Sequence, residues 1–293
     1  MYMRHVQLFI SLFALLPMLS SCRSDGPLRK IVIADSPATF NYVVNTGRAV
    51  SEGRVYPDAG YYMVFDDDMQ EVNLTISNLQ YSPECAPVTV SFSGLQCSYD
   101  LSGPGSLRII EADVLVPDGA VSGDVMLTDV VIVYSQANAL DSYKSDGFYA
   151  RYTVNGNYRV TAYPYSVFGQ GTTRIMQDAV DGDKIDYDVV YETTLDPKSM
   201  SASICISGLP MLGDGVSVEI SGIGFAFTDE GYELSFVSGS TSVKVSDGTA
   251  SSLSRLVGDA DMRDRFDLDI DLVFSGVEYR ISAFLTPNLV ANR

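Results

Sequence analysis

The chain contains one β-rich pattern twice, in the same order, and this duplication restricts its fold more than any other feature. Met69-Gln-Glu-Val-Asn-Leu-Thr-Ile-Ser-Asn-Leu resembles Met200-Ser-Ala-Ser-Ile-Cys-Ile-Ser-Gly-Leu, allowing a one-residue shift. Val88-Thr-Val-Ser-Phe-Ser-Gly-Leu matches Val216-Ser-Val-Glu-Ile-Ser-Gly-Ile, and Tyr158-Arg-Val-Thr-Ala-Tyr matches Tyr279-Arg-Ile-Ser-Ala-Phe. The separations are 131, 128 and 121 residues. Ordered recurrence at a nearly constant offset means one structural unit that is built twice. With the boundary near Pro164, the first repeat covers 30–164 and the second 165–293.

Each unit reads as β. Val72, Leu74 and Ile76 alternate with Asn73, Thr75 and Ser77, and Val216, Val218 and Ile220 alternate with Ser217, Glu219 and Ser221. Period two with one apolar face predicts half-buried antiparallel strands. Asn155-Gly156 tolerates positive φ at both positions and predicts a tight hairpin, with Ser275-Gly276 at the matching place. Val130-Val-Ile-Val-Tyr134 is apolar on both faces and predicts a central strand. Helix is scarce: the best stretch is Ser251 to Phe266, and Ala137 to Lys144 is weaker. The fold class expected is all-β, two tandem, internally duplicated antiparallel domains, each a sandwich or a flattened barrel.

The N-terminus gives an address. Arg4 and His5 precede an apolar run from Val6 to Leu19, too short for a comfortable bilayer span, and Leu19-Ser20-Ser21-Cys22 reads as a bacterial lipobox. Residues 1–21 are therefore expected to be a signal peptide, Cys22 the lipidated residue, and 22–29 a tether. The lipobox followed by this twice-used strand pattern resembles the small β-rich lipoproteins of Bacteroidetes-type gut bacteria. That resemblance implies calycin-like barrel or sandwich domains, an envelope location, most simply the outer membrane, and a ligand without assigned identity. Surface-exported lipoproteins of that kind often carry an acidic run after the cysteine. Arg23-Ser24-Asp25-Gly26 has one acid, so the sequence leaves the periplasmic and the surface-exposed side both open.

Composition excludes several functions. The chain has 19 basic against 37 acidic residues, a net charge of −18, and loss of residues 1–21 removes one base, Arg4, and no acid, giving −19. Such a surface repels nucleic acid and anionic headgroups. The sole histidine, His5, lies in the segment to be removed, so the mature chain has no Ser-His-Asp triad, Cys-His pair or histidine metal site. No Gly-x-Ser-x-Gly or Ser-x-x-Lys motif is present. Beyond Cys22 stand Cys85, Cys97 and Cys205; the strand pattern at Val88–Phe92 argues against a Cys85–Cys97 disulfide, but the pairing stays open.

Asp66-Asp67-Asp68 reads most simply as a polar strand end, and three constellations bear chemistry. Asp178, Asp181, Asp183, Asp186 and Asp188 surround Gly182, a weak calcium candidate centred on Asp181, Asp183 and Asp186 that lacks the spacing of an EF-hand loop. Asp267, Asp269 and Asp271 line one face of one strand about 6.6 Å apart, and need water, a cation or a basic neighbour. In the first repeat, a hairpin alignment puts Tyr149 where Asp269 stands and Arg151 where Asp271 stands. An outward Tyr149/Arg151 face, with Tyr158, Tyr163 and Tyr165 nearby, is the candidate contact surface, toward the other domain or toward a carbohydrate or peptide.

The function expected is a membrane-anchored, non-catalytic binding or scaffolding module that needs no cofactor. The alternatives are a structural adhesin or pilus-type subunit, and a calycin-like carrier of a small apolar ligand.

Overall fold

A computed structural model of the protein describes residues 31–48, 53–68, 70–100, 107–119, 125–135, 147–178, 184–229, 231–261 and 265–287. Cys22, the signal and tether segments, Ala137 to Lys144, Asp181 and Asp183 lie outside the described residues. Every described element is a β-strand, and the strands form two sheets that divide between Pro164 and Ser166.

The first repeat comprises β1 (Ile31–Asp35), β2 (Thr39–Asn45), β3 (Gly53–Asp66), β4 (Glu71–Leu79), β5 (Val88–Gln96), β6 (Ser98–Asp100), β7 (Leu107–Leu115), β8 (Leu127–Ser135), β9 (Gly147–Val154) and β10 (Tyr158–Pro164). Its order is β5-β4-β3-β2-β10-β9-β8-β7-β6, with β1 extending the line of β2 along β3. Among the described residues no ladder joins β5 to β7. That seam is bridged by the Asp118 N–H donating to the Ser91 carbonyl at 2.8 Å and by Ser93 Oγ donating to the Asp118 carboxylate at 2.6 Å.

The second repeat comprises β11 (Ser166–Gln177), β12 (Lys184–Asp196), β13 (Ser201–Ser207), β14 (Ser217–Phe227), β15 (Gly231–Ser235), β16 (Ser242–Val245), β17 (Ser251–Asp261), β18 (Arg265–Phe274) and β19 (Val277–Pro287). The order β13-β12-β11-β19-β18-β17-β15-β14 returns to β13 through the β13–β14 ladder, a closed ring of eight antiparallel strands with β16 added along β14. Closure leaves this ring no free edge. The two repeats share one strand order, and the sequence matches fall on equivalent strands: β4 with β13, β5 with β14, β10 with β19.

The alternation in the sequence explains the interiors. Leu74, Ile76, Val90 and Phe92 are buried in the first barrel with Met63, Phe65, Ile132 and Phe148, and Ile204, Val218 and Ile220 in the second with Leu256, Ile270 and Ile281. Each such side chain contributes about 1.5–3 kcal/mol on leaving water. Some polar groups inside pair with each other: in the first barrel the Tyr61 hydroxyl lies 2.9 Å from both Asn41 Oδ1 and the Tyr152 hydroxyl, and in the second Thr173 Oγ1 lies 3.0 Å from the Tyr191 hydroxyl. The repeated Ser-Gly pair also has a backbone reason. Gly94 and Gly222 have φ of 65° and 67°, at bulges where β5 and β14 depart from regular pairing.

Three sequence expectations need correction. Ser251 to Phe266 is not a helix but β17 and the start of β18. The pairing of β17 with β18 slips between Leu253 and Arg255, so Leu253 and the buried Leu256 and Ala260 fall at helix-like spacing although each half alternates. Asp67 is not a solvated strand end. Its carboxylate is 8% exposed and accepts two bonds from Arg108, itself 1% exposed, each at 3.2 Å. The third correction concerns the hairpin alignment. Arg151 pairs with Thr161, and Asp269 pairs with Ser282, the residue equivalent to Thr161 in the Tyr-Arg match. Arg151 therefore stands at Asp269, and Tyr149 at Asp267, because the turn regions differ in length. Cys85, Cys97 and Cys205 are all free thiols.

Candidate functional site

The β2, β10 and β9 strands run side by side and carry Phe40, Tyr163 and Tyr149 on the outside of the first barrel. None of the three faces water. Tyr149 is 1% exposed and belongs, with Phe40 and Tyr163, to the apolar cluster built mainly from the second repeat. Phe227 and Tyr232, paired across β14 and β15 at one end of the second barrel, receive this aromatic row. The Tyr42 ring stacks on Phe227 at 3.9 Å between centroids, and Tyr163 sits 5.4 Å from Phe227 and 6.4 Å from Tyr232. At the edge, Arg159 meets the Asp229 carboxylate at 2.5 Å. The end of the second barrel is thus stoppered by the flank of the first.

This burial removes Tyr149 and Tyr163 as platforms for a sugar or peptide. Arg151 is half-buried on the same face of β9, and Tyr165, also half-buried, lies at the junction, where its carbonyl accepts from the Leu195 N–H at 2.8 Å. Tyr158 is elsewhere, at the opposite end of the first barrel.

The acidic row on β18 lies outside the second barrel, beside arginines. Asp271 meets Arg280 at 2.8 Å, Asp269 meets Arg255 at 3.6 Å and accepts from Ser282 Oγ at 2.6 Å, and Asp267 meets Arg265 at 3.5 Å. The basic neighbours that this row requires are supplied by β17, β18 and β19. Of the calcium candidates, Asp186 lies in β12. Among the described residues, no group of three or more carboxylate, cysteine or histidine side chains is arranged to hold a metal ion.

A cavity of about 220 Å³ opens at the other end of the first barrel, where β2 ends, β3 and β10 begin, and the Gln80–Pro87 loop crosses from β4 to β5. Arg48 enters from the β2–β3 connection, Arg54 and Tyr56 from β3, Tyr158 from β10, and Tyr81 and Glu84 from the loop. The loop is braced by Gln80 Nε2 donating to the Cys85 carbonyl at 3.1 Å and by the Cys85 N–H donating to the Ser82 carbonyl at 3.2 Å. Ser82 Oγ donates to the Glu84 carboxylate and accepts the Glu84 N–H at 3.2 Å. The Ser82 hydroxyl first, and Arg48 and Arg54 more weakly, hold the Glu84 carboxyl below its usual range, so it is ionised at neutral pH. Burial pushes the Tyr56 phenol up, and Arg54 partly offsets this. The tyrosines offer phenol hydroxyls and apolar ring faces.

Sequence reasoning missed this site. Its residues come from two connections and three strands, with no fixed spacing. Comparison of the chain with protein-family models, curated proteins and solved structures returns no match.

Proposed function

We propose that this protein is a non-catalytic binding module of the bacterial envelope, anchored by lipid on Cys22, with the first barrel presenting the binding site and the second supporting it. The observation that carries the binding role is the charged, tyrosine-lined cavity at the free end of the first barrel. The lipobox at Leu19 to Cys22 supports the anchor. A binding role without chemistry agrees with the lack of histidine after His5 and with the β18 carboxylates lying beside arginines on an outer face.

The alternatives have less support. An apolar carrier needs a roomy barrel, whereas the described residues pack large side chains into both interiors and one end of the second is stoppered. A donor-strand adhesin needs a vacant slot about 9.6 Å across, twice the strand spacing. At the β5–β7 seam, Cα atoms approach within 8 Å.

The test of the anchor is metabolic labelling with a radiolabelled fatty acid and fractionation of the producing bacterium. The native chain is expected in the membrane fraction and labelled. Cys22→Ala is expected to be unlabelled and either soluble or unprocessed. Normal labelling of Cys22→Ala overturns the anchoring.

A further inference from the structure

We infer that the cavity at the free end of the first barrel is a recognition site for a hydroxylated carboxylate, of the hexuronic-acid type found in acidic saccharides. This deepens the binding-module reading and rests on it.

The charge pattern is the first argument. In a chain with 37 acids and 19 bases, Arg108, Arg159, Arg255, Arg265 and Arg280 are each within 4 Å of an aspartate. Arg48 and Arg54 line one cavity with no ion-pair partner at that distance among the described residues. Two guanidinium groups on one cavity, near Glu84 but not within ion-pair distance of it, form a receptor for an incoming carboxylate, which a guanidinium binds through two parallel hydrogen bonds.

Glu84 decides between kinds of anion. An ionised carboxylate on the same wall repels an anion that has no hydroxyl hydrogen to offer it, such as sulfate. It accepts hydrogen bonds from ligand hydroxyls. A molecule with a carboxylate at one end and hydroxyls at the other satisfies both walls at once.

The rings supply the third element. Tyr81 and Tyr158 stand 5.4 Å apart between centroids with planes inclined by 56°, and Tyr56 lies on the same cavity. Aromatic faces pack against the C–H faces of a pyranose, and the phenol hydroxyls bond to its oxygens. The volume, about 220 Å³, is below the 300–1,000 Å³ typical of drug-sized pockets and suits a single ring, one residue of a longer saccharide. Unpaired arginines also distinguish this end from the matching end of the second barrel. There Tyr279, the equivalent of Tyr158, borders a cavity in which Arg280 is already paired with Asp271.

The experiment is calorimetric titration of the intact protein, purified in detergent, with D-glucuronate and D-galacturonate, and in parallel with D-glucose, D-galactose, propionate, inorganic phosphate and an aspartate-rich peptide. At least one hexuronate is expected to bind saturably, and more weakly as salt rises. Its neutral sugar, propionate, phosphate and the peptide are expected to bind at least about tenfold more weakly. Arg48→Gln with Arg54→Gln is expected to weaken hexuronate binding at least about tenfold, and Tyr158→Leu by a smaller factor. Both arginines are exposed, so thermal unfolding of the double variant should match the native protein. No saturable hexuronate binding at tens of millimolar overturns the inference, as does unchanged binding by the folded double variant. Equal binding of propionate or phosphate makes this a plain anion site, and equal binding of the peptide makes it a peptide site; either result also overturns it. The Cys22→Ala labelling result is independent of these outcomes, so failure of the ligand class and failure of the anchor are read separately.

Discussion

The hydroxyl of Tyr163, on the outside of the first barrel, donates to the backbone carbonyl of Gly231 in the second at 3.1 Å. This bond fixes the flank of one repeat over the end of the other. Around it, the Phe40 and Phe227 rings lie 5.7 Å and 5.4 Å from that of Tyr163. The equivalent of Tyr163 in the second repeat is Phe284, which is 59% exposed. One duplicated position thus has two fates: in the first copy its ring is a joint, and in the second it stays on the surface.

Tyr163→Phe is expected to cost only about 1 kcal/mol, the net worth of one neutral hydrogen bond. The Gly231 carbonyl keeps the Thr228 N–H at 2.9 Å and is not orphaned. Tyr163→Ala removes the ring as well and should cost about 3–5 kcal/mol. Urea unfolding of both variants checks this, and equal losses would show that the ring contributes nothing.

The buried tyrosines predict a steep alkaline limit. Burial raises the phenols of Tyr61, Tyr152, Tyr163, Tyr191 and Tyr232 well above their ordinary value of 10.0. In the unfolded chain these groups ionise near that value, while in the folded protein they stay protonated. Their contribution is therefore fully present below pH 10 and is lost as pH rises past it toward the raised folded values. Each tyrosine removes about 1.4 kcal/mol per pH unit in that window. Thermal unfolding should fall sharply between pH 10 and 11 and return on prompt neutralisation. A flat profile there would contradict the burial.

The barrels were legible because alternation and duplication are local signals that burial must obey. Val72, Leu74, Ile76 and their copies need no tertiary knowledge to be placed inward. The helix expected at Ser251 to Phe266 failed because one bulge near Arg255 converts a two-residue period into a helix-like one. Asp67 and Arg108 escaped notice since 41 residues separate them and only barrel closure brings them together. The cavity was illegible for the same reason. Arg48, Arg54, Glu84 and Tyr158 each look like ordinary surface residues until the ends of the strands meet.

Gly222 should tolerate substitution badly. A Cβ there would lie 2.2 Å from the Ser240 carbonyl oxygen, and the residue has φ of 67°. Gly94, its equivalent, has φ of 65° but open space around it. Gly94→Ala therefore carries only the backbone penalty, about 1 kcal/mol, while Gly222→Ala adds displacement of the Ser240 turn and should cost about 2–4 kcal/mol. Comparing the two by chemical denaturation separates strain from collision. Equal losses would show that the turn gives way freely.

The Arg108–Asp67 pair gives the sharpest stability test. Arg108 lies over the Phe65 ring at 5.1 Å and is held by both Asp67 oxygens, one of which also accepts from the Tyr99 hydroxyl at 2.7 Å. Two charges so deep are tolerated because each compensates the desolvation of the other. Removing one partner leaves the other uncompensated, so Arg108→Met or Asp67→Leu alone should cost about 3–5 kcal/mol. Making both changes removes both charges, and apolar replacements of similar bulk should recover most of that loss. The double-mutant cycle, read by urea unfolding, should show a coupling of at least about 2 kcal/mol. Additive losses in that cycle would mean that the two side chains are stabilised separately by their surroundings, and that the pair does not tie the end of β3 to β7.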